Sequence, residues 1–160
     1  SEMCIRDRKN TTAWTAGVSL IIGLKTVLSM MEKEGIDNVF KRHSINAEAT
    51  RAAVKALGLK LLAQDIPSNA ATGCFLPENI DGKAFVKYLR DKCGVSIAGG
   101  QDHLAGKILR ISHLGYHDAF DTITAVSAIE MGLKKFGADI EFGKGVAAAQ
   151  SVLMGEMPSI

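Results

Sequence analysis

The stretch at residues 99–116 constrains the fold more than any other part of the sequence. It opens on two adjacent glycines, Gly99 and Gly100, and closes at Gly115. Glycines allow backbone conformations and close approaches that a side chain would block. The run between them, 108–111, is rich in the isoleucine and leucine side chains that suit a buried strand. The stretch therefore predicts a loop, a strand and then a turn before a new helix.

One residue, Arg110, interrupts this apolar strand. A guanidinium within a buried strand requires an anion, because an unpaired buried charge is strongly unfavourable. Two interpretations stay open at this point: Arg110 pairs with an Asp or Glu of its own fold, or it binds a ligand carboxylate through its planar fork. A phosphate-binding loop is excluded by spacing, because Gly100 and Gly106 are too far apart and Ile108, not Ser or Thr, follows the lysine.

Composition limits the classes of function. Of 160 residues, 47% are hydrophobic and 22% are charged, as in a globular domain with a core. A net charge of +2 argues against nucleic-acid and lipid-surface partners. No apolar run is long enough to span a membrane. The three cysteines are widely spaced and form no metal or redox motif, which predicts no metal site and a cytoplasmic location.

Hydrophobic periodicity and capping residues predict an α+β fold. We expect a small antiparallel or mixed sheet of about four strands with helices packed on one face, preceded by a long helix. Five helices are predicted: 18–31, 36–57, one capped by Asp81, one capped by Asp118 and a short one within 143–155. Four strands are predicted: 59–63, 72–76, 95–98 and 108–111. The first helix is apolar nearly all round, which is typical of a helix buried on most sides.

The amino-acid sequence of residues 99–116 resembles that of a known family. It reads Gly-Lys-Ile-Leu-Arg-Ile-Ser-His-Leu-Gly-Tyr after Gly-Gly-Gln. This resembles the C-terminal part of class V aminotransferases of the alanine–glyoxylate and serine–glyoxylate type, which use pyridoxal phosphate. In that family the arginine of Arg-Ile-Gly-His-Met-Gly binds the α-carboxylate of the substrate, and Arg110 is the matching residue. Ser112 replaces the family's glycine and Leu114 its methionine.

The resemblance runs from about Thr11 to near the C-terminus and implies a domain organisation. The fold-type I small domain of this family would occupy residues 36–156. Residues 11–35 would form a loop and a helix that crosses between two domains and packs in a homodimer. Residues 1–10 match neither the family nor a periodic pattern, and we expect them to be a non-native or disordered leader.

A threonine pair is the implied cofactor contact. Thr12-Ala13-Trp14-Thr15-Ala16 stands where relatives carry Thr-Pro-x-Thr-Pro. In those dimers a threonine here reaches the cofactor phosphate of the other subunit, so Thr15 is the first candidate and Thr12 the second. Thr15 is also predicted to cap the first helix.

The implied activity is transfer of an amino group from alanine or serine to glyoxylate or another 2-oxo acid. Such enzymes need a lysine that binds the cofactor and an acid beside its ring nitrogen. In the family both precede the region matched here, so neither Lys25 nor Lys107 receives a catalytic role. We therefore expect the chain to contain no catalytic residue and to be inactive alone.

Two alternatives remain. One is a cysteine desulfurase-like branch of the same superfamily, which would need a nucleophilic cysteine on a mobile loop. Cys74 falls in a predicted strand and Cys93 at a predicted helix end, so both are better explained as small core residues. A free-standing module could instead bind a carboxylate at Arg110 for regulation.

Overall fold

A computed structural model describes residues 15–156 of the chain, apart from the side chain of Glu156. The chain divides into two compact units between Val39 and Phe40. Helix α1 (Val18–Glu34) lies in the first unit, and helix α2 (Ile36–Ala56) begins there and continues into the second. The domain boundaries inferred from the family stay a prediction.

The second unit alternates helices with short strands. After α2 its elements are β1 (Ala71–Phe75), α3 (Gly82–Cys93), β2 (Ala98–Gly99), a 3₁₀ turn (Asp102–Leu104), β3 (Ile108–Ser112), α4 (Ala119–Lys135) and α5 (Lys144–Glu156). The strands form an antiparallel sheet in the order β1-β3-β2. The predicted α+β class is confirmed.

Within the described residues the sheet has three strands, and not the predicted four. The segment predicted as strand 59–63 contributes an isolated bridge between Leu61 and Cys74. Its backbone exchanges hydrogen bonds with β1 through the N–H of Leu62 and the carbonyl of Lys60. The segment then turns away through polar residues that lead to Pro67, which cannot donate to a ladder. The predicted strand 95–98 shortens to Ala98–Gly99.

The core lies on one face of the sheet. Alternate side chains of β3, Leu109 and Ile111, are buried beneath helices α3 and α4. Phe85 and Leu89 of α3 and Ile129 of α4 complete this cluster, as the helical spacing predicted. A second cluster joins α2, α4 and α5 through small and branched side chains: Ala49, Ala53, Val126, Ala149 and Leu153. Helices thus cover one face of the sheet and leave Arg110 and Ser112 on the other.

The predicted helix starts at Asp81 and Asp118 are confirmed. The Asp81 carboxylate accepts the N–H groups of Lys83 at 2.9 Å and Ala84 at 3.4 Å, and so caps α3. Asp118 and Asp121 form a reciprocal capping box at the start of α4. Each carboxylate satisfies N–H groups that a helix end leaves without a partner. The cap at Asp118 fixes where the preceding loop must end.

Three local predictions are wrong. The cap of α1 is Gly17 without a side-chain hydrogen bond, and not Thr15. The spacing of 36–57 predicts an inner side of α2 made of Ile36, Phe40, His43, Ala47, Val54 and Leu57. Ala47, Val54 and Leu57 are buried, whereas Ile36 and Phe40 are 47% and 64% exposed. The buried face also includes Asn46 and Thr50, whose polar groups are hydrogen-bonded.

Helix α1 has no buried residue. Its expected packing between two domains and in a homodimer stays a prediction. Its exposed apolar side chains are Val18, Leu20, Ile21, Ile22, Leu24, Val27, Leu28 and Met30. Of the helices in residues 15–156, none combines the length and the apolar character that crossing a membrane requires.

Candidate functional site

Arg110 is the central residue of β3, and its side chain is exposed. Its cross-strand partners are Gly73 on β1 and Ala98 on β2, which are both small. Its Nε–H donates to the carbonyl of Gly99 at 2.8 Å. The premise that burial forces Arg110 to find an anion is therefore wrong, because the side chain projects from the face of the sheet that the helices leave open.

No carboxylate within residues 15–156 pairs with Arg110. The one hydrogen bond that its side chain makes in this part of the chain uses Nε and leaves the two terminal nitrogens for other partners. The interpretation that Arg110 serves an ion pair of its own fold therefore has no support among the described residues. Carboxylate binding by Arg110 stays a prediction.

An open groove of about 600 Å³ lies beside Arg110. Its floor and walls come from the segment before β2, the second half of β3, the loop after it and the first turns of α4. Polar side chains lining it are Ser96, Arg110, Ser112, His117, Asp121 and Thr124, and the apolar ones include Val95, Ile97, Ile111, Leu114 and Tyr116. A cation, hydroxyls and an apolar rim can accommodate a small molecule that bears a carboxylate.

The loop at residues 113–118 begins at a buried histidine. His113 is 0% exposed, and its Nδ1 lies 2.9 Å from the carbonyl of Asn69, which can only accept. Nδ1 therefore carries the proton, and Nε2 accepts from the Thr72 hydroxyl at 2.9 Å. Burial is the main cause of a lowered pKa for His113, so the neutral form is favoured.

Helix α2 holds the middle of the same loop. Nη1 of Arg42 donates to the carbonyls of Gly115 and His117, each at 2.9 Å. Asn46, one turn further along α2, donates to the His117 carbonyl at 3.0 Å. The spacing of 36–57 predicts that Arg42 lies on the solvated face of its helix together with Lys41, Glu48, Arg51 and Lys55. A partner more than seventy residues away along the chain leaves no local signal in the sequence.

His117 is half-buried at the edge of the groove. A hydrogen bond of 3.0 Å joins its Nε2 to the Thr122 hydroxyl. Burial lowers the pKa of His117, and the nearby carboxylates of Asp121 and Asp118 only partly oppose this effect. The imidazole thus favours its neutral form, which leaves Arg110 as the groove's cation.

The glycine pair shapes the approach to β3 as predicted. A side chain at Gly100 would overlap the carbonyl oxygen of Leu104. The chain can fold back this tightly because Gly100 has no Cβ. Gly106 and Gly115, on either side of the strand, have φ angles of +74° and +78°, a region that favours glycine.

The threonines and lysines considered in the sequence belong to other segments of the chain. Thr15 is exposed just before α1, and its hydroxyl makes no hydrogen bond to the described residues. Thr12 lies outside the described residues. Lys25 is in α1 and Lys107 directly precedes β3.

The two cysteines that the structure describes, Cys74 and Cys93, lie within a strand and at a helix end. Cys74 is 0% exposed in β1, and burial raises the pKa of its thiol to about 12. A thiol that stays protonated is a weak nucleophile. Cys93 is half-buried at the end of α3. Between residues 15 and 156 no three His, Cys, Asp or Glu side chains group together as metal ligands would.

Known proteins are similar to most of this chain. No family model matches the chain. The chain is 35% identical over 149 residues to the serine–glyoxylate aminotransferase of Arabidopsis thaliana. The matched region covers 92% of this chain and 37% of that protein. The solved pyridoxamine–pyruvate aminotransferase from Mesorhizobium loti matches with a TM-score of 0.86 at 31% identity, over 92% of this chain and 38% of that one. The chain is a homologue of these aminotransferases. The resemblance to class V aminotransferases is thereby confirmed.

A relative with a different name is also similar. The small subunit of a soluble hydrogenase from Synechococcus sp. is 42% identical over 146 residues, which is 91% of this chain. The chain spans about 38% of the length of that relative, as it does of the aminotransferase homologues.

Proposed function

We propose that this chain is the substrate-carboxylate-binding part of a pyridoxal phosphate-dependent transaminase. The whole protein would transfer an amino group from alanine or serine to glyoxylate or another 2-oxo acid, and would act as a homodimer. The observation that carries the proposal is Arg110, a guanidinium with no carboxylate partner among the described residues, at the edge of an open groove. The names of homologues that act with glyoxylate or pyruvate support it.

The geometry of Arg110 suits carboxylate recognition. Its bond to the Gly99 carbonyl restrains the guanidinium and occupies Nε. The two terminal nitrogens can then donate in parallel to both oxygens of one carboxylate, which is the strongest arrangement for such a pair. Lysine carries the same charge but lacks this planar fork. Arg110 would thus bind and orient the amino acid without taking part in proton transfer.

Pyridoxal phosphate, when bound, supplies the electron sink that amino-group transfer requires. Thr15 fits a phosphate contact, because its exposed hydroxyl is not engaged by the described residues. Thr12 is the second candidate for this contact. The cofactor's lysine and the acid at its ring nitrogen are assigned to no residue of this chain. The chain alone should therefore not transaminate.

The threonine assignment can be tested separately from Arg110. In the whole protein, Thr15→Ala should weaken cofactor affinity and leave amino-acid recognition nearly intact. A lost hydrogen bond to a charged group corresponds to about 1.5–3 kcal/mol, or roughly 10- to 150-fold in affinity. Unchanged cofactor affinity would transfer the role to Thr12 or remove it from this segment.

Cytoplasmic localisation forms part of the same proposal. Cys74 and Cys93 are both free thiols, as is usual in a reducing compartment. The substrates are small molecules, and the charge balance gives no reason to expect nucleic acid as a partner.

The decisive experiment measures transamination by the whole protein and its Arg110→Lys variant. With L-alanine or L-serine as donor and glyoxylate as acceptor, the substitution should lower kcat/KM by roughly 10- to 150-fold. Ethylamine, which has no carboxylate, should react no more slowly with the variant than with the parent. Equal losses for amino acids and ethylamine would show that Arg110 is structural.

The same preparation distinguishes the alternatives. Hydrogen uptake without transamination would favour the function named in the hydrogenase relatives. Binding of L-alanine without either reaction would favour a free-standing carboxylate-binding module.

A further inference from the structure

The loop at residues 113–118 forms one wall of the groove, and its ends and its middle are held in different ways. Leu114, Tyr116 and His117 all line the groove. The loop starts at buried His113, which is hydrogen-bonded to Thr72 of the neighbouring strand β1, and ends at the helix cap of Asp118, so both ends are fixed. The middle contains Gly115, whose positive φ permits a sharp turn. The Leu114 N–H donates to the Ser112 hydroxyl at 3.4 Å, and the backbone carbonyls of the middle section are bound by side chains from elsewhere in the chain.

Arg42 and Asn46 supply those side chains. The same Nη1 of Arg42 donates to the carbonyls of Gly115 and His117, and Asn46 adds a second donor to the His117 carbonyl. Asn46 is only 2% exposed, and its own carbonyl accepts the Thr50 hydroxyl at 2.7 Å. The donors therefore project from a packed helix and not from a mobile surface. A charged donor to a carbonyl is also stronger than a neutral one.

We infer that Arg42, assisted by Asn46, is a positioning residue that holds the 113–118 loop in the conformation in which the groove receives a substrate carboxylate at Arg110. This inference rests on the proposed function. Arg42 acts through the loop backbone and does not line the groove itself. Its loss should release Gly115 and His117, widen the range of positions of Tyr116 and His117, and raise the entropy that the loop must lose when ligand binds.

The test uses the whole protein, as for the proposed function, and L-alanine as the probe. Arg42→Met keeps the length of the side chain and removes its donors, whereas Arg42→Lys keeps the charge and one donor group. Arg51→Met is the matched control, because Arg51 lies on the same helix and donates to the Ser68 carbonyl at 3.3 Å, away from the groove. Arg110→Lys reports whether L-alanine binds in the groove at all.

Two quantities are measured for each variant by NMR: the dissociation constant for L-alanine, and amide hydrogen exchange at residues 114–117. Amides of Leu109 and Ile129 in the core serve as an internal reference for global stability. Arg42→Met should raise loop exchange and weaken L-alanine binding roughly tenfold, while the core amides stay protected. Arg42→Lys should restore part of both losses, and Arg51→Met should change neither. Should Arg42→Met fail to fold, Arg42→Lys decides, with a loss of about threefold expected.

The outcomes separate this inference from the proposed function. If Arg110→Lys weakens L-alanine binding and the Arg42 variants do not, the positioning role is overturned and the proposed function stands. Faster loop exchange with unchanged affinity has the same meaning, because Arg42 would then be structural only. If the parent protein does not bind L-alanine, or if its Arg110→Lys variant binds L-alanine equally well, the proposed function is overturned together with the inference.

Discussion

The carboxylate of Glu130 accepts the backbone N–H of Gly145 at 2.7 Å and so joins two helices that are consecutive in the chain. Glu130 lies in α4 and is only 3% exposed. Its oxygens also accept the N–H groups of Gly143 at 2.8 Å and Val146 at 3.0 Å. A buried carboxylate thus serves as the cap of α5, where N–H groups lack partners and the helix dipole favours negative charge.

Replacing Glu130 by Gln should destabilise the fold. The amide keeps one acceptor oxygen but turns a donor toward N–H groups that themselves need acceptors. We expect a loss of about 1.5–3 kcal/mol in the free energy of unfolding, measured by denaturant titration. Glu141→Gln is the control, because Glu141 is exposed and should change stability little. Equal stability of the Glu130 variant and the parent would contradict a capping role.

The glycine pair before β3 offers a second test within two neighbouring positions. A Cβ at Gly100 would overlap the Leu104 carbonyl, whereas a Cβ at Gly99 would meet no atom closer than 3.8 Å. Gly100→Ala should therefore cost about 1–3 kcal/mol of stability, as overpacking does, and Gly99→Ala should cost much less. Thermal unfolding of both variants provides the measurement. If the two substitutions are equally mild, the loop tolerates a shift away from Leu104.

The parts of this fold that were predictable depend on neighbours in the sequence. The caps at Asp81 and Asp118 involve residues two and three positions away, so their side chains alone indicated where α3 and α4 begin. Similarly, the alternation around Leu109 and Ile111 was enough to place Arg110 on a strand. Local hydrogen bonds and periodicity are properties of short segments, and a sequence displays them directly.

The rest depends on tertiary contacts. Arg42 and Glu130 are charged helix residues, and each binds backbone groups of a segment that lies elsewhere in the chain. The face that α2 buries was predicted only in part, because α4 and α5 also cover Ala49 and Ala53. For the same reason, the periodicity of 36–57 could not show that Asn46 lies beside the loop after β3.

Helix α1 leads to a prediction about association. Leu24 and Leu28 follow each other on one side of the helix and are 58% and 54% exposed. Exposed apolar surface of this kind favours self-association in water. Sedimentation velocity of the isolated chain should show oligomers that Leu24→Glu combined with Leu28→Glu reduces. Ile66→Glu is the control, because Ile66 is a single exposed side chain in a loop. A stable monomer of the parent chain at high concentration would contradict this expectation.

The stability of the second unit should fall as the pH drops below about 6.5, the ordinary pKa of histidine. Burial lowers the pKa of His113 in the folded state, so below pH 6.5 the unfolded chain takes up a proton that the folded one resists. The unfolded state then binds more protons, and the free energy of unfolding decreases with falling pH until the lowered pKa is reached. His117 shifts in the same direction and adds to the effect.

Denaturant titrations at pH 7.5, 6.5 and 5.5 measure this slope. His113→Gln removes the titrating group, while its amide can still donate to the Asn69 carbonyl and accept from Thr72. Its stability should therefore change less between pH 6.5 and 5.5 than that of the parent. His103→Gln, at an exposed site, should keep the parent's slope. If His113→Gln also keeps that slope, the buried imidazole accepts its proton as readily as an unfolded one, and the acid sensitivity must come from His117 or from carboxylates.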